Sequence, residues 1–450
     1  MTELRNARHL SVHDLRRRIN EGDIDTVIVA FADMQGRLQG KRLQAAYFAE
    51  QVLDQGTDIP SYLLAVDTDM KIADRDDLAF ADQAIGEMKL VLDLQTIRLL
   101  RHQPGAVMVQ CDVMWPDKTP VVQSPRAILK QQLAVAASRG YAVLASMELE
   151  FMAFHTSYED AWTAHYRDLS PASRHNAGYS IMNGTRVEPL LHAIRDTAYA
   201  AGIDISSLNA GPNLGQHQIR FSQQDALTSA DNHAVFKIIA KEIAAQQGRS
   251  ITFMATYDEQ QANSCRIQLS LRNQEPGNDQ LPTVLYEAFV AGVLTTLYNF
   301  TLLYAPNINS YKRFAGQSLA PTTIAWGRND GMSAIRVIGE DGPARVENRA
   351  PGADANPYLA LAAMIAGGLH GIDADLELGP ALTDNAHSSD FSRIPCTLLE
   401  ARQAFGSSQI ARTAFGDQVV DHYTTMADVE LAAFEAAVTD WELRRGFERM

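Results

Sequence analysis

Two carboxylates, Glu148 and Glu150, stand at i and i+2 in the run Met-Glu-Leu-Glu-Phe, residues 147–151. With apolar neighbours the run reads as a strand. On a strand this spacing turns both acids to one face while Leu149 faces the other. Two acids on one half-buried face repel each other, so something positive must lie beside them. A metal ion is the usual answer. The alternating run Cys265-Arg266-Ile267-Gln268-Leu269-Ser270 instead offers a cation at Arg266. A third acid, Glu347, lies in Arg345-Val346-Glu347-Asn348-Arg349, again with a period of two.

These runs need elements to hold them. Ser11 opens a short helix to about Asn20, with Asp14 three residues on as a loose capping box. Residues 25–32 form a buried strand, Asp33 to Gly36 a turn, and residues 24–100 alternate short strands with turns. The stretch 121–126 (VVQSPR) is a boundary: Ser124 caps a helix, Pro125 takes its first position, and the helical pattern runs to Gly140. Beyond it the pattern gives strands at 141–151, 216–222, 265–272, 333–338 and 345–350. Helices are expected at 188–202, 231–248, 281–304 and 357–370, with about three more from 396 to 443. The polar stretch 155–182 reads as a surface loop.

Composition narrows the function. The chain has 450 residues, enough for a large core or two domains. Fifty-four acidic against 39 basic residues give a formal net charge of −15, which argues against nucleic acid as a partner. No run of about 18 apolar residues suggests a membrane span, and the N-terminus has no apolar signal core. Cys111, Cys265 and Cys396 have no zinc spacing and suit a reducing cytoplasm.

In order and spacing, several motifs together resemble the glutamine synthetase family, in its γ-glutamyl-amine (polyamine) synthetase branch. They are Phe31 to Lys41, Ser124-Pro-Arg126, Met147 to Phe151, Gly215 to Gln218, Thr252 to Met254, Asn309 to Arg313, Ile324 to Gly327, Asn356 to Leu359 and Val438 to Glu442. The resemblance implies an α+β glutamine synthetase fold. A small β-grasp-like N-terminal domain (1–120) would precede a large catalytic domain (121–450) with a curved antiparallel sheet. It also implies a ring-shaped homo-oligomer acting on a small-molecule substrate. ATP would activate a glutamate side-chain carboxylate to an acyl phosphate that an amine attacks, with two Mg2+ or Mn2+ ions and several arginines around the phosphates.

Residue by residue, the resemblance puts one ion on Glu150 and on positions held here by Ala210 and Gln218. It puts the other on Glu148, Glu347 and a position held here by Arg266. Gln218 keeps a carbonyl oxygen, Ala210 offers nothing and Arg266 repels a cation, so Glu150 and Gln218 would hold at most one ion. The proton-accepting flap position falls at Leu319, an arginine position at Gly331 and an ATP-seating histidine position at Gln268. Arg313 is retained for the substrate carboxylate, Ser270 for the nucleotide, and Arg336, Arg345 and Arg349 for the phosphates. A guanidinium at Arg266 reaching between Glu148 and Glu347 would replace the second ion.

Plainer readings stand beside these. The paired acids could be solvated on an edge strand, Arg266 could face solvent in a slipped register, and Arg313 and Arg336 could be structural partners. His217 reads as a polar core group rather than a catalytic one. Asp67 and Asp69 match the family's subunit-closing segment poorly, and His9 and His13, near the N-terminus, make no zinc site. Three functions remain open: an enzyme repurposed away from two-metal ATP chemistry, an ATP-dependent carboxylate–amine ligase with a reduced metal site, and a catalytically silent metabolite-binding or co-assembling paralogue.

Overall fold

The computed structural model describes residues 9–73, 86–259, 261–274, 281–315, 320–339, 345–382 and 391–450. Two sheets organise them. The first has six strands and is built on the pair Thr26–Ala32 and Leu38–Gln44. The turn between them is fixed by Asp33, whose Oδ1 accepts from the Gln35 and Arg37 amides, and by Gly36 at φ 77°. Ala106–Met114 runs parallel to Thr26–Ala32 and pairs antiparallel with Glu87–Leu92, which in turn pairs with Thr57–Pro60. Ahead of this sheet, helix Val12–Glu21 starts at Ser11, whose side chain accepts from the Asp14 amide as the motif predicts.

The second sheet has nine strands and carries the site residues. Its order is Trp326–Arg328, Ile335–Ile338, Arg345–Asn348, Cys265–Asn273, Tyr141–Phe154, Gln216–Phe221 and Ile205–Ala210. All of these pairs are antiparallel except Trp326–Arg328 with Ile335–Ile338, so the sheet is mixed rather than purely antiparallel. Odd-numbered residues of the central strand, such as Ala145, Met147, Leu149 and Phe151, are fully buried on one face. Helix Ala226–Gln246 covers that face: Ser229 donates to the Ala145 carbonyl, and His233 meets the sulfur of Met147.

Two helices begin earlier than periodicity suggested. Helix Ala226–Gln246 starts where Asp225 accepts from the Thr228 amide. Helix Ile181–Ala200 carries Pro189 inside it and takes in the end of the expected loop. A proline eight residues into a helix hides its true start, because proline normally marks a first turn. The rest of that loop includes a short helix, Tyr158–Thr163, capped by Ser157.

The two sheets are joined through charged and polar contacts. Arg126 pairs with Asp93 and Asp112 from the first sheet's side and with Asp231 from the helix under the second. Asn356, at the start of helix Pro357–Asp373, donates to the carbonyls of Asp33 and Met34. Among the described residues no helix is long and apolar enough to cross a membrane.

Candidate active site

Strand register assembles the site in rows. Arg220, Glu148 and Arg266 are direct neighbours on three adjacent strands. One step along, Ser146, Gln268, Glu347 and Arg336 form a second row. Glu150 lies opposite Gln218, and Ser270 follows Gln268 on the same face. Glu148 and Glu347 are each only 2% exposed, so neither is a solvated edge acid, and the register places Arg266 on the site face.

Every one of these carboxylates is engaged. Glu148 accepts from Arg266 Nη1 at 2.5 Å through Oε1, and from Arg220 Nε at 2.9 Å through Oε2. Glu150 accepts the Ser264 amide at 2.7 Å and lies 3.6 Å from Arg266 Nη2. Glu347 accepts Gln268 Nε2 at 2.7 Å, with Arg336 at 3.4 Å and Arg349 at 3.8 Å. Arg266 therefore bridges Glu148 and Glu150, not Glu148 and Glu347 as expected from the sequence. The register is the reason: Glu347 lies in the neighbouring row directly opposite Gln268, which donates to it and accepts from Arg345 at 3.1 Å. Burial opposes the charge of Arg266, but Glu150, Glu148 and Glu347 together outweigh it and hold its pKa above the ordinary value.

A cavity of about 570 Å³ opens over this face, lined by Glu150, Gln218, Arg266, Arg313 and Arg349 together with Tyr179 and Asn213. Arg313 donates to the carbonyls of Ala350 and Arg349, so it braces the backbone at the cavity wall, and burial lowers its pKa to about 10. Arg349 is 6% exposed, and its Nε and Nη1 make no hydrogen bond. Ser270 accepts from Gln223 at 3.0 Å. His217 points away from the cavity: it packs against Phe151 at 5.7 Å between centroids, and burial pushes its pKa down to about 4, in keeping with a core group.

Sequence reasoning missed Arg220, Gln216 and Ser264. The signal was present, because Gln216, Gln218 and Arg220 share the site face of one strand by alternation. Leu319 lies outside the described residues.

Divalent ions, as the resemblance implies them, do not fit the residues present. Both oxygens of Glu148 are occupied by guanidinium groups, and Glu150 already accepts a backbone amide. Gln218, opposite Glu150, supplies only a neutral oxygen, and Ala210 supplies no side-chain donor. Among the described residues no three His, Cys, Asp or Glu side chains are grouped to hold a metal.

Known proteins give the frame for this geometry. Residues 122–446 match the glutamine synthetase catalytic domain. The chain is 48% identical over 445 residues to a gamma-glutamylethanolamide synthetase of Streptomyces coelicolor, covering 98% of this chain and 96% of that one. It is 32% identical over 457 residues to a glutamate–isopropylamine ligase of a Pseudomonas species, covering 99% of each. The fold superposes on the apo form of GmaS with a TM-score of 0.83 at 24% identity, covering 97% of this chain and all of the other. Matched from end to end and carrying the catalytic domain, the chain belongs to the glutamine synthetase family, in its gamma-glutamyl-amine synthetase branch.

Proposed function

We propose that the protein is a γ-glutamyl-amine ligase: it joins the side-chain carboxylate of a glutamate-type substrate to a small primary amine, converting ATP to ADP and phosphate. The nearly end-to-end match to a gamma-glutamylethanolamide synthetase carries this reading. The cavity supports it. Arg313, on helix Ile308–Ala315, and Arg349 offer guanidinium groups to a substrate carboxylate, and Arg336 and Arg345, on the sheet face of Glu347, serve the transferred phosphate. Ser270 follows Gln268 on the same strand face and, in this reading, serves the nucleotide. In this reading Glu148, Glu150 and Glu347 hold the arginines in place, and Arg266 contacts the reacting groups. Assembly into a cytoplasmic, ring-shaped homo-oligomer belongs to the same proposal and is supported by family membership.

The test is incubation of the purified protein with ATP, glutamate and a panel of amines that includes ethanolamine and isopropylamine. Mass spectrometry would read the γ-glutamyl amide, and a colorimetric assay the phosphate. Amide and phosphate in equal amounts are expected for at least one amine; no amide from any of them would refute the ligase. A second reading, favoured by the occupation of Glu148 by two arginines, is an ATP-free reaction on an amine- or carboxylate-bearing substrate. Amide turnover in the absence of ATP would single it out.

A further inference from the structure

We propose that the cavity floor takes an anionic group directly on Arg266 and Arg349, with the Arg266 guanidinium standing in place of a divalent cation. The inference concerns what the site binds and goes beyond the reaction proposed above.

Charge decides the sign of the ligand. Around this site stand six guanidinium groups, those of Arg220, Arg266, Arg313, Arg336, Arg345 and Arg349, against five carboxylates: Glu148, Glu150 and Glu347 on the sheet face, with Asp354 acting on Arg313 and Asp330 on Arg349. Positive charge is in excess before any ion is added, so a divalent ion would worsen the imbalance and an anion would relieve it. A cation seated on Glu148 would also have to displace Arg266 from one oxygen and Arg220 from the other.

Arg349 points to the same ligand independently. It lines the cavity, is 6% exposed and leaves Nε and Nη1 without a hydrogen bond. Buried guanidinium donors without an acceptor are costly. The nearest carboxylate oxygen, on Glu347, lies at 3.8 Å and is shared with Arg336. Arg266 is pinned by Glu148 and Glu150 yet keeps a quarter of its side chain open to solvent. A planar carboxylate or phosphoryl group fits a guanidinium of this kind.

Calorimetric titration of the full-length protein with L-glutamate and with inorganic phosphate, in EDTA, tests the proposal and separates the two anion sources. At least one probe is expected to bind in EDTA, with its affinity unchanged within about twofold when Mn2+ replaces the chelator. Arg266→Gln should weaken that binding about 10- to 100-fold, and Arg266→Lys should recover part of it. Electron paramagnetic resonance of Mn2+ should show no tight site in the wild-type protein. One should appear in Arg266→His combined with Arg220→Ala, which removes both guanidinium groups from Glu148. Binding that requires Mn2+, binding indifferent to Arg266→Gln in a protein of wild-type circular dichroism, neither probe binding, or no Mn2+ site in the double variant would each overturn the inference. Anion binding in EDTA without amide formation would sink only the ligase; amide formation with Mn2+-dependent binding would sink only this inference.

Discussion

Burying a carboxylate costs several kcal/mol unless its oxygens are engaged by charge-assisted donors. Glu148 is 2% exposed, but its two partners are unequal: the Arg220 side chain is 48% exposed and that of Arg266 25%. Solvent screens the outer pair, which is worth at most about 1 kcal/mol, so most of the stabilisation lies with Arg266. Glu148→Gln also turns an amide donor toward a guanidinium. We expect it to destabilise the protein by about 1–3 kcal/mol, and Arg220→Gln by less than about 1 kcal/mol, read from denaturant midpoints. Equal losses in the two variants would show that the outer arginine matters as much as the inner one, against this ranking.

Elements place these residues to within a strand step, and the helices behind them are packed with little slack. Helix Thr283–Tyr304 meets helix Pro357–Asp373 through glycines. A Cβ on Gly292 would lie 2.2 Å from the Gly367 carbonyl oxygen and 2.6 Å from the Gly371 amide nitrogen. Backbone atoms cannot move aside as a flexible side chain can, so Gly292→Ala should cost about 1–3 kcal/mol. Gly184, in helix Ile181–Ala200, has nothing within 4 Å of its Cβ position. There alanine should be neutral or stabilise by up to about 1 kcal/mol. Thermal unfolding of the two variants side by side checks this, and similar behaviour would disprove the close packing. Part of the arrangement was legible in the chain: period-two alternation put Glu148 and Glu150 on one face of their strand, and the family resemblance grouped Arg266 and Glu347 with them, while strand register decided the face of Arg266. Which arginine meets which acid was not legible. That depends on how the strands lie side by side: the register sets Gln268, not Arg266, opposite Glu347 and leaves Arg266 beside Glu148 and Glu150. Arg220 was hidden for the same reason, since its partner is 72 residues away.

Among the described residues, the buried Arg126 cluster is compensated by acids, whereas burial works against the proton on three histidines. Arg126, 2% exposed, draws Asp93, Asp112 and Asp231 together and keeps its charge despite burial. His217 in the second sheet, His233 in helix Ala226–Gln246 and His422 in helix Asp417–Ala436 differ: burial lowers the pKa of all three, to about 4 for His217 and His422 and well below the ordinary value for His233. An unfolded histidine titrates near 6.5. Between that pH and about 4 the unfolded chain binds protons that the folded one refuses, so stability falls as pH drops through this window. Above it both states are neutral at these groups, and nothing is lost. A gap of this size is worth about 3 kcal/mol for each of His217 and His422. Denaturant unfolding at steps from pH 7.5 to 4.5 should show a steep loss of stability over that range. His217→Leu should lower the slope by about one proton, whatever it does to stability at pH 7.5. An unchanged slope in that variant would mean that His217 is already charged in the fold, contrary to its sealed place beside Phe151.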